Sequence, residues 1–126
     1  MTNKISLLYV DDENLNLLLF KMNFEKTYSV YSCESGKEAL EVLKQNPHLQ
    51  IVISDMKMPH MDGLEFIRQA HEFAPTLHYF ILTGFEISDK IQEALDAGMI
   101  RKYFQKPFNV KEITQEIELA LSGEGC

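Results

Sequence analysis

At 126 residues the chain is long enough for one domain with a proper core, and its 25% charged and 45% hydrophobic residues are ordinary for a globular protein. A net charge of −7 argues against non-specific attraction to nucleic acid or to an anionic membrane. No apolar run approaches the roughly 18–20 residues of a membrane span, and Met1-Thr2-Asn3-Lys4 leads into a strand without an apolar signal region, so a cytoplasmic location is expected.

Residues 5–10 read as a buried strand that ends abruptly at Asp11-Asp12. Residues 14–25 predict a helix with Leu15, Leu18, Leu19 and Met22 at helical spacing, expected to be its core face. Residues 28–33 alternate like a strand near a sheet edge and contain Cys33, read as a small core residue. A disulfide from Cys33 to the terminal Cys126 is not expected in a cytoplasmic protein. Ser35 with Glu38 forms a capping-box signal for a helix running through Ala39, Leu40 and Leu43 to Pro47. The third strand, 50–54, ends at Asp55. Asp62-Gly63 opens a third helix bearing Leu64, Ile67 and Ala70, stopped before Pro75. A fourth strand, 78–82, ends at Thr83, and a fourth helix, 88–97, runs from Ser88 to a stop at Gly98. The fifth strand, 100–105, ends at Lys106-Pro107, and a last helix runs from Asn109 to about Leu121. Residues 1–121 are thus expected to form one domain, with 122–126 a flexible tail: a frayed terminus, an appended scar or the start of a lost linker. His48, His60, His71 and His78 show no metal-ligand spacing.

Five strands alternating with five helices over short connections predict a doubly wound α/β fold, with a parallel sheet covered on both faces. Apolar runs at the first and third strands suit central positions, and the polar alternation of the second suits an edge. That agrees with the flavodoxin-like order 2-1-3-4-5, whose ligand crevice lies at the carboxyl ends of strands one and three. Asp11, Asp12 and Asp55 would crowd that crevice. Like charges at that density imply a divalent cation, a raised pKa, or both. Singly, each feature has a plainer reading: the acid pair as a helix cap, Thr83 as a β-former, Lys106-Pro107 as a solvated turn. Their joint placement, one at each strand end, is what specifies chemistry.

Val10-Asp11-Asp12-Glu13, Ser54-Asp55-Met56-Lys57-Met58-Pro59-His60-Met61-Asp62-Gly63, Leu82-Thr83-Gly84 and Tyr103-Phe104-Gln105-Lys106-Pro107-Phe108 follow one another in this order. On these motifs residues 5–121 closely resemble the receiver domain of response regulators in bacterial two-component signalling. The resemblance implies that Asp55 is the phosphoacceptor, served by a histidine kinase or a histidine phosphotransfer protein. It implies Mg²⁺ held by Asp12, Asp55 and the backbone carbonyl of Lys57, with Asp11 acting through water. Three carboxylates and one lysine leave a charge of −2, which a divalent cation cancels. Lys106 would pair with the phosphoryl oxygens, and Thr83 would donate its hydroxyl to one of them. Gly84 would keep the group accessible. Thr83 and the aromatic Tyr103 would form the switch. The surface of helix four, strand five and helix five would carry the signal to an output domain, a partner or a phosphorylation-dependent homodimer. Lys106-Pro107 is expected to be cis. No direct contact with nucleic acid or membrane is expected.

The same resemblance implies that the chain is not an enzyme beyond Mg²⁺-dependent self-phosphorylation and autodephosphorylation. One alternative is a pseudo-receiver that docks without phosphorylation, but such modules usually lack an acid or the lysine, and all are present. An aspartyl-phosphate hydrolase of the haloacid dehalogenase type needs a second Asp two residues after the nucleophile, and position 57 is Lys. The chain departs from most receivers at Gly98-Met99-Ile100-Arg101-Lys102, where a basic link replaces the usual acidic pair. Carboxylates on a partner are expected opposite Arg101 and Lys102.

Overall fold

The computed structural model describes residues 4–84 and 87–123. Its elements are β1 (Ser6–Val10), α1 (Asn14–Phe24), β2 (Ser29–Cys33), α2 (Gly36–Gln45), β3 (Ile51–Asp55), α3 (Gly63–Phe73), β4 (His78–Thr83), α4 (Asp89–Asp96), β5 (Lys102–Gln105) and α5 (Val110–Ser122). The five strands form one parallel sheet in the order β2-β1-β3-β4-β5. β1, β3 and nearly all of β4 are buried throughout, as expected of strands covered on both faces. β2 lies at an edge and is only partly buried.

Strand alternation divides the apolar side chains between two cores. Leu8, Val10, Val52, Tyr79 and Ile81 pack against α2, α3 and α4 through Ala39, Leu43, Phe66, Ile67, Ala70, Ile91 and Ala94. Leu7, Tyr9, Ile51, Ile53, Phe80 and Leu82 pack against α1 and α5 through Phe20, Phe24, Ile113 and Ile117. Cys33 is buried in the first core as a free thiol, its pKa pushed up to about 12 by burial and by Glu38.

The helix starts follow the sequence signals. The side chains of Ser35, Asp62, Ser88 and Asn109 accept the backbone N–H of Glu38, Glu65, Ile91 and Glu112 respectively. At Ser35 the return bond of the capping box goes one residue further back, Glu38 Oε1 accepting from the N–H of Glu34 at 3.2 Å. Gly98 takes a positive φ of 75° after α4. The last helix continues through Ser122 to a left-handed Gly123, one residue beyond the expected end, and the expected tail otherwise falls on residues 124–126, outside those described.

The predicted core face of α1 is wrong. Leu15, Leu18, Leu19 and Met22 are 64%, 54%, 41% and 63% exposed. The helix instead buries Phe20 and Phe24, with Leu17 packed beside them. Phe20 stacks on Tyr9 at 4.0 Å between centroids and on Phe24 at 4.4 Å, and Phe108 closes the cluster from the β5–α5 loop. The aromatic ring of Tyr9 on β1 offers Phe20 a stacking surface, and that contact turns the phenylalanine face of α1 inward.

Candidate functional site

The sheet register brings the expected residues to one edge. Val10 pairs with Ser54, so Asp11 emerges beside Asp55. Asp55 pairs with Leu82, so Thr83 follows one step later, and Thr83 pairs with Gln105, so Lys106 comes next. The ladders run on past the strands: Asp11 N–H donates to Cys33 O at 3.1 Å, and Lys106 N–H donates to Thr83 O at 2.8 Å.

Asp11, Asp12 and Asp55 bring carboxylate oxygens within 4.8 Å of one another. Asp11 is fully buried, Asp55 is 5% exposed and Asp12 is exposed. Lys106 Nζ lies 3.1 Å from Asp55 Oδ1 and 3.6 Å from Asp11 Oδ2. One ammonium facing two carboxylates leaves the site short of positive charge. Burial, reinforced by Asp11 and opposed by Lys106, pushes the Asp55 carboxyl up to about 6. The three acids offer hard oxygen ligands at two depths, a donor set that fits Mg²⁺. An open crevice of 610 Å³ gives access, with Asp12, Asp55, Lys57, Gly84 and Lys106 among its walls.

Thr83 is buried at the end of β4 and is not part of that wall. It shares its side of the sheet with Ile81, whose register partner on β5 is Tyr103. Tyr103 is half-buried against the same core and lies outside the acidic cluster. Asp11 also does part of the plainer work, because its Oδ1 accepts the N–H of Glu13 at 3.0 Å just ahead of α1. The Lys106-Pro107 bond is cis.

A Cβ on Gly84 would meet Lys106 only at 3.7 Å, so a methyl fits there without displacing the lysine. One reading changes. Lys102 belongs to β5, and its Nζ sits 3.2 Å from Glu116 Oε2 on α5, so this charge is already offset within the chain. Arg101 N–H donates to Tyr79 O at 2.8 Å, which ties the link to the sheet.

Sequence reasoning missed two residues. A Cβ on Gly63 would lie 2.3 Å from the Asp55 carbonyl oxygen, so only glycine lets α3 start against the end of β3; the motif showed a helix start but not this approach. Tyr9 donates its hydroxyl to Asp11 Oδ2 at 2.7 Å. The available signal was its position two residues before Asp11, on the same side of a strand.

Residues 7–118 match the sequence model of the response regulator receiver domain. The response regulator receiver protein CpdR of Brucella abortus is 33% identical over 115 residues, covering 91% of this chain and 94% of that protein. Sporulation initiation phosphotransferase F of Bacillus subtilis is 29% identical over 119 residues, covering 94% of each. Among solved structures, that of adenylate cyclase from Rhodopirellula baltica superposes with a TM-score of 0.88 at 31% identity, covering 94% of this chain and 88% of that one.

Proposed function

Because this chain belongs to the family of response regulator receiver domains, phosphorylation-type switches of two-component systems, we propose that Asp55 is its phosphoacceptor, charged by the phosphohistidine of a histidine kinase or histidine phosphotransfer protein. The observation that carries this reading is the pairing of Asp55 with Lys106 at 3.1 Å inside a cluster of three carboxylates open to a crevice. A carboxylate oxygen of Asp55 attacks phosphorus, the bond from phosphorus to the donor nitrogen breaks, and the imidazole leaves with the electron pair and takes up a proton. Lys106 moves its charge from Asp55 to the phosphoryl oxygens, already within reach of the reacting atom. Thr83 supplies its hydroxyl to the product. Asp12, Asp55, the Lys57 carbonyl and, through water, Asp11 would hold Mg²⁺, which offsets the charge that otherwise repels an incoming phosphoryl group.

The phosphoryl group is held once per chain and lost by hydrolysis, so the protein acts as a switch and not as a turnover enzyme. Its output passes through α4, β5 and α5 to a partner, an output domain or a second copy. The charge of −7 and the lack of any described helix long and apolar enough to cross a membrane suit such exchange in the cytoplasm. Acetyl phosphate or phosphoramidate with Mg²⁺ should add one phosphoryl group by intact mass, abolished by Asp55→Asn and by EDTA. Undiminished labelling of Asp55→Asn would overturn the assignment.

A further inference from the structure

We propose that the Tyr9 hydroxyl is a positioning group for Asp11, fixing the plane of that carboxylate for metal binding and keeping Lys106 directed at Asp55; this rests on the metal site proposed above. Each oxygen of Asp11 has its own donor: the Tyr9 hydroxyl at 2.7 Å on Oδ2 and the Glu13 N–H at 3.0 Å on Oδ1. Turning the carboxylate about its Cβ–Cγ bond would break both bonds at once. The donor is itself immobile, since Tyr9 is 1% exposed and its ring lies stacked on Phe20 with an interplanar angle of 5°. A carboxylate oxygen accepts more than one hydrogen bond, so Asp11 keeps acceptor capacity toward the crevice.

The bonded oxygen is the one that faces Lys106. Asp11 Oδ2 stands 3.6 Å from Nζ, against 3.1 Å for Asp55 Oδ1. Without the hydroxyl, a fully buried oxygen would lose its closest donor and lean more on Lys106, 3.6 Å away, so Asp11 would draw the lysine from the phosphoacceptor. Tyrosine suits the position because a phenol carries its proton at neutral pH and so acts as a donor there.

Tyr9→Phe keeps the ring stack and removes only the donor. Mg²⁺ affinity would be measured calorimetrically for the wild type, Tyr9→Phe, Asp11→Asn, the double variant and Asp12→Asn. Tyr9→Phe should weaken Mg²⁺ binding about tenfold, the scale of an outer partner of a metal ligand. In the Asp11→Asn background the same change should cost less than about twofold, because the group acts through that carboxylate. Labelling by phosphoramidate at saturating Mg²⁺, where metal affinity no longer matters, should slow by about three- to tenfold because Lys106 is drawn from Asp55 toward Asp11, and a wild-type rate there would overturn the part assigned to Lys106. Unchanged affinity in Tyr9→Phe would overturn the inference, as would equal losses in both backgrounds, which would mark general packing. No Mg²⁺ binding by the wild type would remove the metal site and this inference with it.

Discussion

Asp55 is held where its charge is costly without a metal. Burial and Asp11 push its carboxyl up to about 6 even with Lys106 beside it. The folded state therefore binds this proton more tightly than the unfolded chain does. The favourable contribution is present in acid and is lost as pH rises through about 6. Asp55→Asn removes the charge and should stabilise the protein in EDTA at neutral pH by about 1–3 kcal/mol. The gain should shrink below pH 6 and fade near pH ~4, where the wild-type carboxyl is protonated in both states. Urea unfolding at a series of pH values checks this. A gain that does not change with pH would mean that crowding of carboxylates is not its source. Gly63 belongs to the same scale and was illegible in the sequence because its role is a contact with the end of another element, whereas Tyr9 carried a signal, its place two residues before Asp11, that does not by itself name the bond its hydroxyl makes.

At the scale of the element, α1 shows where sequence patterning loses its power. Five of the six residues from Leu15 to Phe20 are apolar, so two stripes fit a helix equally well. One passes through Leu15, Leu18, Leu19 and Met22, the other through Leu17, Phe20 and Phe24. The choice is made by Tyr9 on β1, whose ring receives Phe20. The strands and their carboxyl ends were legible because each apolar run stops at a charged or hydroxylic residue, and the caps because their bonds reach only three residues ahead. The Lys102–Glu116 pair was not legible, being a contact between separate elements. The two stripes differ sharply in what their loss should do. Phe20→Ala should cost about 3–5 kcal/mol. Leu18→Glu should change stability by no more than about 0.5 kcal/mol. Urea midpoints of the two variants measure the difference, and comparable losses would restore the leucine stripe to the core.

Across the whole molecule, strand alternation puts the residues proposed for chemistry and those proposed for readout on opposite sides of one sheet. Asp11, Asp55 and Lys106 each stand two residues after a strand residue of the α1–α5 core, namely Tyr9, Ile53 and Phe104, whereas Thr83 and Tyr103 lie on the side of the core shared with α4. Thr83→Ala should therefore still accept a phosphoryl group while losing most of the accompanying change at α4, β5 and α5. Amide NMR shifts of the phosphorylated variant test this, and a wild-type pattern of shifts there would refute the coupling. The position of Lys106 gives that coupling a direction. Its side chain reaches Asp55 and its backbone N–H is bonded to Thr83, directly after a strand of four residues. β3 is clamped by a neighbour on each side, while β5 lies at the sheet edge and is held on one side only. In mechanical terms β3 is the anvil and β5 the free end of a beam, with Lys106 as the cable between them. A pull exerted by a new phosphoryl group on that cable would leave the anvil in place and deflect the beam.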